Sequence, residues 1–385
     1  MTSTASSSSG PRSGIVLLSG NDLIAAGALA AGCDFFSGYP ITPASEIYAA
    51  MMRRLPARGG RSIGAPDEIS ALSYAVGASM AGSRAMTATS GPGWALMIET
   101  VQYALMTETP VVIAVSQRLG PSTGGATQGA QGDVLLVANA TSGGYPIPVL
   151  CPVDGIDAYA LTAEAFQWAE TLRTPVVLLT DKEISKTVES VDVADLPAVE
   201  TTPRRGPEPD VPYVPYGIQT VDDVPRFTPV GGELPVTATG SAHNEEGRLR
   251  KNDPGVLRQL DHLQAKVASR AAELERVRHL HPEGADTLLI SYGVSARSCR
   301  EAVSTLAAAG TPVASLEILS LFPVPTRALQ DAASRVARVL VVEENGPGLY
   351  ARELRPHLPA EVAVGQVNAV GEMIPPAAIR EAVLS

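Results

Sequence analysis

Four polar stretches of the chain carry residue types from which a site could be built. Ser37 to Glu46 reads SGYPITPASE, a strand-to-helix turn in which Pro40 and Pro43 bracket Thr42. Pro43 suits the first helical position and Thr42 the N-cap, where its hydroxyl would accept from a free backbone amide. A helix start of that kind favours a carboxylate or phosphate. An ordinary capped turn that binds nothing has the same pattern. Glu68 opens a second helix, in PDEISALSYAVGASMAG, where a carboxylate can do proton-transfer work or simply complement the helix dipole. Ser90 and Gly91 sit in TSGPG, a strand running into a glycine turn. Arg118 closes the apolar run PVVIAVSQR at the end where open α/β sheets place their ligands. A salt-bridged strand-end arginine is the common alternative.

These residues fall at the junctions of an alternating pattern. Asn21 to Gly32 is an alanine-rich helix stopped by glycine; Cys33 to Phe36 is a buried strand; Ala44 to Leu55 is an amphipathic helix. The helix from Pro66 to Gly82 repeats small residues (Ala71, Ala75, Ala78, Ser79), which suits close packing against another backbone. Arg84 to Ser90 and Pro110 to Ser116 read as strands and Trp94 to Met106 as a helix. Gly120 to Asp133 (GPSTGGATQGAQGD) is a glycine-rich polar loop without Walker or dinucleotide spacing, a lid over a site or a long surface connection. Asp157 to Arg173 is a helix, followed by the strand Pro175 to Thr180.

Composition shifts after about Ser190. Thr201 to Asn252 is rich in proline, glycine and charge and reads as an irregular connection, and Pro254 to Val277 is helical with a solvated face. Strands at Thr287 to Tyr292, Pro312 to Leu319 and Arg338 to Glu344, with helices at Ser295 to Ala309 and Pro325 to Val336, form a second, smaller α/β unit. The expected organisation is a flexible tail (1–13), a first α/β domain (14–195), an irregular linker with a helix (196–284) and a second α/β domain (285–385).

The 385 residues suffice for two or three cores, and with 45% hydrophobic, 4% aromatic and 18% charged residues those cores are aliphatic, as in parallel-sheet α/β proteins. A net charge of −11 argues against nucleic acid or an anionic membrane as the main partner. Cys33, Cys151 and Cys299 are scattered, which indicates neither a disulfide framework nor a chain-internal iron-sulfur cluster. The apolar runs are too short to span a bilayer, and a cytoplasmic protein is expected.

GYPITPASE, PDEISALSYAVGASMAGSRAMTATSGPG, QRLGPSTGG, TGSAHNEEG and VLVVEENGPG, in this order, resemble the α subunit of 2-oxoacid:ferredoxin oxidoreductases over nearly everything after residue 13. The resemblance implies a pyrimidine-type thiamine diphosphate-binding domain followed by a smaller transketolase C-terminal-like domain. It implies a reaction in which a 2-oxoacid and coenzyme A give acyl-CoA, carbon dioxide and reduced ferredoxin, or the reverse carboxylation. Glu68 matches the glutamate that bonds the cofactor's pyrimidine ring and promotes its activation. Arg118 matches the arginine that grips the substrate carboxylate, Thr42 a residue touching the substrate oxygens, and Tyr39, Pro40, Ile41, Ser90 and Gly91 the cofactor-binding junctions.

The resemblance also implies partners. No GDG motif with a following Asn segment is present, so Mg2+ and the diphosphate site, together with a 4Fe-4S cluster, are expected in a separate β subunit, in a heterodimer or heterotetramer; a γ subunit, where required, is another chain. One departure bears on substrate: Gly125 to Asp133 holds no basic residue, so a second cation for a distal carboxylate is lacking there. The arrangement otherwise looks most like the 2-oxoglutarate subgroup, and pyruvate and branched-chain or aromatic oxoacids are the other family substrates. Alternatives are a non-oxidative thiamine-dependent decarboxylase or carboligase subunit, and a non-catalytic structural subunit.

Overall fold

The computed structural model describes residues 14–385; the stretch expected to be a flexible tail, 1–13, lies outside the described residues. The chain begins with β1 (Ile15–Ser19) and α1 (Gly20–Ala30), then β2 (Phe35–Gly38), α2 (Ser45–Arg54), β3 (Arg61–Gly64), α3 (Glu68–Met80), β4 (Ala85–Ser90), α4 (Gly91–Met106) and β5 (Val111–Gln117). After the glycine-rich loop come α5 (Val134–Ala138), β6 (Val149–Leu150), α6 (Gly155–Leu172), β7 (Pro175–Asp181), α7 (Lys182–Lys186) and β8 (Val188–Asp192).

The strand β5, VVIAVSQ, is buried along its whole length, which is why it reads as an unbroken apolar run and sits centrally in a sheet covered on both faces. Alternate residues supply the two cores. Met86, Ala88, Val112, Ala114, Val176 and Leu178 face one side, against α1, α2 and α6. Ala85, Ile113, Val115, Val177 and Leu179 face the other, against α3 and α4. Ala71 and Ala75 of α3 are fully buried, as their size anticipated, and the Ser37 hydroxyl donates to Ala71 O at 2.5 Å.

From residue 196 to 253 the chain forms no helix or strand beyond an isolated bridge between His243 and Leu249. Buried charge fixes its passage across the first sheet. Arg173 donates to Glu108 O, Pro215 O and Arg226 O, and Arg204 pairs with Glu170 while lying 4.5 Å over the Phe227 ring. The helix expected over Pro254 to Val277 divides into α8 (Pro254–Ala268), α9 (Ala271–Leu274) and an edge strand, β9 (Val277–Leu280). The fully buried Lys266 and His262 of α8 both bond Glu108 Oε2, at 2.7 and 3.0 Å, so α8 carries a pairing face and not only a solvated one.

The second unit comprises β10 (Thr287–Ser291), α10 (Ser295–Ala308), β11 (Ala314–Ile318), β12 (Ser320–Phe322), α11 (Thr326–Ala333), β13 (Arg338–Glu343), α12 (Leu349–Leu354), β14 (Ala363–Asn368) and α13 (Pro376–Leu384). Its five-stranded sheet runs β14-β13-β10-β11-β9, parallel except for β9. The first sheet has seven strands in the order β12-β6-β7-β5-β4-β2-β3, so β12 crosses over from the second unit and pairs antiparallel with β6. One core cluster runs from Ile113 and Leu179 through to Leu288, Ile290, Leu316 and Val341, joining the two sheets.

Candidate functional site at the sheet crevice and the unit junction

The strand order reverses at β2: β3 lies on one side of it and β4 on the other. Such switch points open a crevice at the carboxyl ends of the strands. The residues singled out from the sequence follow β2 (Tyr39 to Thr42), β4 (Ser90, Gly91) and β5 (Arg118), all on that edge.

The turn after β2 differs from its expected form. Thr42 is not the N-cap of α2, because the Ala44 amide donates to Ile41 O at 2.8 Å and closes a turn over Ile41 to Ala44. The helix therefore starts at Ser45 with Ala44 at the cap and no side-chain cap bond. Thr42 stands exposed at the crevice, and its carbonyl is held by Arg118 Nη1 at 2.7 Å.

Arg118 is buried, at 6% exposure. Its Nη2 donates to Thr123 O at 3.2 Å, so one guanidinium ties the β2 turn to the glycine-rich loop, and its Nε is buried without a partner. Among the described residues Arg118 thus has backbone acceptors and not the salt bridge that a strand-end arginine commonly has.

Glu68 begins α3, whose cap is Asp67, accepting from the Ser70 amide at 2.7 Å. At 7% exposure its carboxylate has no hydrogen bond or ion pair among the described residues. It packs against the start of α4, where a Cβ on Gly93 would come within 2.7 Å of Glu68 Cγ and overlap the Thr89 hydroxyl. The glycines of TSGPG therefore do not form a turn ahead of the helix. They are its first turn, with Ser90 at the cap, and they let Glu68 and Asp133 approach the backbone; a Cβ on Gly91 would overlap the Asp133 carboxylate. The Ser90 hydroxyl is buried without a partner.

Beside Arg118 lies a cavity of about 490 Å3 between the two units, lined by Gly91, Ala95, Leu119, Pro121, Leu136, Asp133, Glu344, Asn345, Leu349 and Val370 among others. Glu68, Thr42 and Tyr39 do not line it. Among sequence-predicted residues the structure therefore groups Arg118 with Thr42 and with Gly91, and sets Glu68 at the inner face of α4.

The loop Gly120 to Asp133 is exposed at one end and anchored at the other. Pro121 to Gly124 is exposed, whereas Gln131 is fully buried at the junction. The Gln131 side chain donates to Asp181 Oδ2 and Tyr292 O and accepts from Ser295 Oγ and the Glu344 amide, at 2.9 to 3.3 Å. Asp133 is positioned by its amide, which donates to Gln117 Oε1 at 3.0 Å. Burial pushes the Asp133 carboxyl up to about 6 against the pull of Arg118, and burial with Asp181 and Glu183 nearby pushes Glu344 up to about 8. Sequence reasoning missed Gln131, Asp133 and Glu344. Their signal was position: Gln131 and Asp133 end the glycine-rich loop, and Glu344 follows an apolar strand in VVEENGPG.

Residues 26–254 match the family described as "Pyruvate flavodoxin/ferredoxin oxidoreductase, thiamine diP-bdg", and residues 285–375 match "Pyruvate:ferredoxin oxidoreductase core domain II". A 2-oxoglutarate synthase subunit of Methanothermobacter thermautotrophicus is 38% identical over 330 residues, 85% of this chain and 87% of that one. The chain belongs to the 2-oxoacid:ferredoxin oxidoreductase family. As an α-type subunit of this thiamine diphosphate-dependent oxidoreductase family, it superposes on a solved chain of the 2-oxoglutarate:ferredoxin oxidoreductase from Magnetococcus marinus with a TM-score of 0.89 at 29% identity, covering 96% of this chain and 65% of that one. That structure holds 2-oxoglutarate, coenzyme A and succinyl-CoA. A split-gene transketolase chain, 16% identical with a TM-score of 0.57 over 95% of each chain, shares the fold alone.

The oxidoreductase's Glu68 region fits the cofactor that the family description names. Glu68, 7% exposed, has no hydrogen-bond partner among the described residues, and the Ser90 hydroxyl at the start of α4 is buried without one, so both are open to polar atoms of a bound group. Among the described residues no group of three or more His, Cys, Asp or Glu side chains could hold a metal ion, and no helix is long and apolar enough to cross a membrane.

Proposed function

We propose that this chain forms one half of the active site of a 2-oxoacid:ferredoxin oxidoreductase that converts 2-oxoglutarate and coenzyme A to succinyl-CoA and carbon dioxide, or runs in reverse. The observation that carries this reading is Glu68, a residue only 7% exposed that lies against Gly93 and whose carboxylate has no partner among the described residues. When bound, thiamine diphosphate supplies the carbon nucleophile that attacks the 2-oxo group. Glu68 would hydrogen-bond the pyrimidine ring, and the absence of a side chain at Gly93 lets Glu68 lie against the start of α4.

Arg118 holds the substrate's reacting carboxylate through its free Nε–H, while its two other nitrogens fix the turn and the loop around it. Thr42, exposed at the crevice, offers its hydroxyl to the substrate oxygens. Tyr39, Pro40, Ile41, Ser90 and Gly91 form the walls against which the cofactor lies. The exposed end of the glycine-rich loop excludes water over this site once substrate is held.

Glu68 is flanked by elements that present large apolar side chains to solvent: Tyr39, Ile63, Ile69, Tyr74 and Leu96 are 39 to 52% exposed. This face takes the β subunit, which brings the diphosphate, Mg2+ and a 4Fe-4S cluster, so the catalytic centre closes only in the heteromer. Electrons leave through that subunit to ferredoxin, with a γ-type chain joining where coenzyme A binding requires it. A cytoplasmic location goes with this chemistry.

The test is anaerobic purification with the neighbouring β subunit, followed by viologen reduction with a panel of 2-oxoacids, each with and without coenzyme A. Reduction by 2-oxoglutarate that needs both chains and coenzyme A is the expected result. Oxoacid consumption without reduction would assign a non-oxidative decarboxylase or carboligase instead, and an inactive chain that only assembles would assign a structural subunit.

A further inference from the structure

The cavity beside Arg118 contains more than the reacting carboxylate needs. Leu119, Pro121, Leu136, Leu349 and Val370 make its walls apolar, and Arg118 is the only cation among its lining residues. Glu344 is 1% exposed, it lines this cavity, and its Oε2 has no partner among the described residues. The Ile374 amide nearby favours its charged form, but less than burial and the neighbouring carboxylates oppose it.

A carboxyl group in such surroundings is held in its neutral form, and a neutral carboxyl carries an O–H that requires an acceptor. Every group facing Glu344 bears on that state. Asp181 at the end of β7 and Glu183 on α7 push its carboxyl up, and Lys182 pulls the other way with less effect. Asp133 and Arg118 also line the cavity, where burial raises the Asp133 carboxyl to about 6 and Arg118 pulls it down without offsetting that. The chain itself provides no acceptor for the Glu344 proton among the described residues, so the acceptor belongs to what fills the cavity.

We infer that the cavity takes the distal, non-reacting end of the 2-oxoacid, and that Glu344 is a specificity-determining residue that recognises the distal carboxylate by donating a hydrogen bond from its protonated carboxyl. The inference rests on reading the chain as an oxoacid oxidoreductase subunit. It accounts for how a dicarboxylic substrate is accommodated although the loop Gly125 to Asp133 contains no basic residue. The methylene chain of such a substrate meets the apolar walls, and its far carboxylate meets a shared proton in place of a cation. Glu344 takes no part in the reaction and keeps its proton throughout.

The deciding experiment is calorimetric titration of the assembled holoenzyme with glutarate and with butyrate at about pH 7 and about pH 9.5, a span that crosses the Glu344 titration while leaving Asp133 ionised at both ends. Glutarate affinity is expected to fall roughly tenfold between these values in the wild type, with butyrate affinity unchanged. Glu344→Gln keeps a donor at both values and is expected to abolish the fall, whereas Glu344→Ala weakens glutarate binding already at the lower value. The same fall in Glu344→Gln as in the wild type, or no difference between glutarate and butyrate, overturns the assignment. Binding is read without turnover, so a holoenzyme that binds glutarate in this way yet reduces no viologen with any 2-oxoacid would sink the proposed reaction and leave the assignment of the cavity standing.

Discussion

Gln131 and Glu344 clasp each other in both directions across the junction of the two units. The Gln131 amide donates to Glu344 O at 2.8 Å, and the Glu344 amide donates to Gln131 Oε1 at 2.9 Å. Gln131 O also accepts from Asn345 Nδ2 at 3.2 Å, so the last turn of the glycine-rich loop is stitched to the strand end of the second unit. The loop that borders the cavity is thereby anchored at its carboxyl end. Gln131→Leu leaves the Glu344 amide, Ser295 Oγ and Asp181 short of a partner in a buried place, and roughly 2–4 kcal/mol of stability is expected to be lost. Chemical unfolding of the two proteins measures it.

Arg118 fastens the turn after β2 to the loop after β5 through two carbonyls. A lysine there keeps the charge and loses the fork. Arg118→Lys is therefore expected to raise the KM for the 2-oxoacid about tenfold or more and to make Pro121 to Gln128 more open to limited proteolysis. An unchanged KM with normal protease resistance would mean that the fork is not used.

Burial, Asp181 and Glu183 raise the Glu344 carboxyl to about 8, so the folded chain binds this proton more tightly than the unfolded chain. Stability from this group is full below the ordinary carboxylate range and is lost as pH rises toward about 8. Glu344→Gln removes the loss. Its Tm is expected to exceed that of the wild type by a few degrees at about pH 8.5 and to approach it at about pH 5. Parallel Tm curves for the two proteins across that range would contradict the protonated state.

Glu108 ties α8 to the first sheet through Lys266 and His262, both fully buried. Removing only the cation strands a buried carboxylate. Lys266→Met is expected to cost about 3–5 kcal/mol, and adding Glu108→Gln to recover a large part of it. If the double variant is as unstable as the sum of the singles, the two groups are not coupled.

Periodicity made the architecture legible. Fully apolar runs such as Val111 to Val115 and Val339 to Val342 announced buried parallel strands, and glycine and proline marked their ends. Short edge strands were not legible: β3 (RSIG) and β9 (VRHL) carry polar residues because an edge does not bury both faces. The strand β12 was hidden for another reason, since its pairing with β6 depends on how the units meet and has no local signature. In the site, residue types at strand ends pointed to Arg118 and Glu68. Thr42 was placed at a helix cap by its neighbours Pro43 and Ala44, and the Ile41 to Ala44 turn moved the helix start onward to Ser45. For Glu344 the sequence offered only its position after an apolar strand, because its chemistry comes from burial with Asp181 and Glu183 nearby, which lie far away along the chain.

In the proposed function Glu68 of this chain works in an active site completed by a partner. The most direct measurement is 2-oxoglutarate- and coenzyme A-dependent viologen reduction by the anaerobically assembled complex, comparing wild type with Glu68→Gln. Because Glu68 bonds nothing within the described residues, the variant is expected to fold and assemble normally while turnover drops at least about a hundredfold. A fully assembled Glu68→Gln complex that turns over at the wild-type rate would contradict the account.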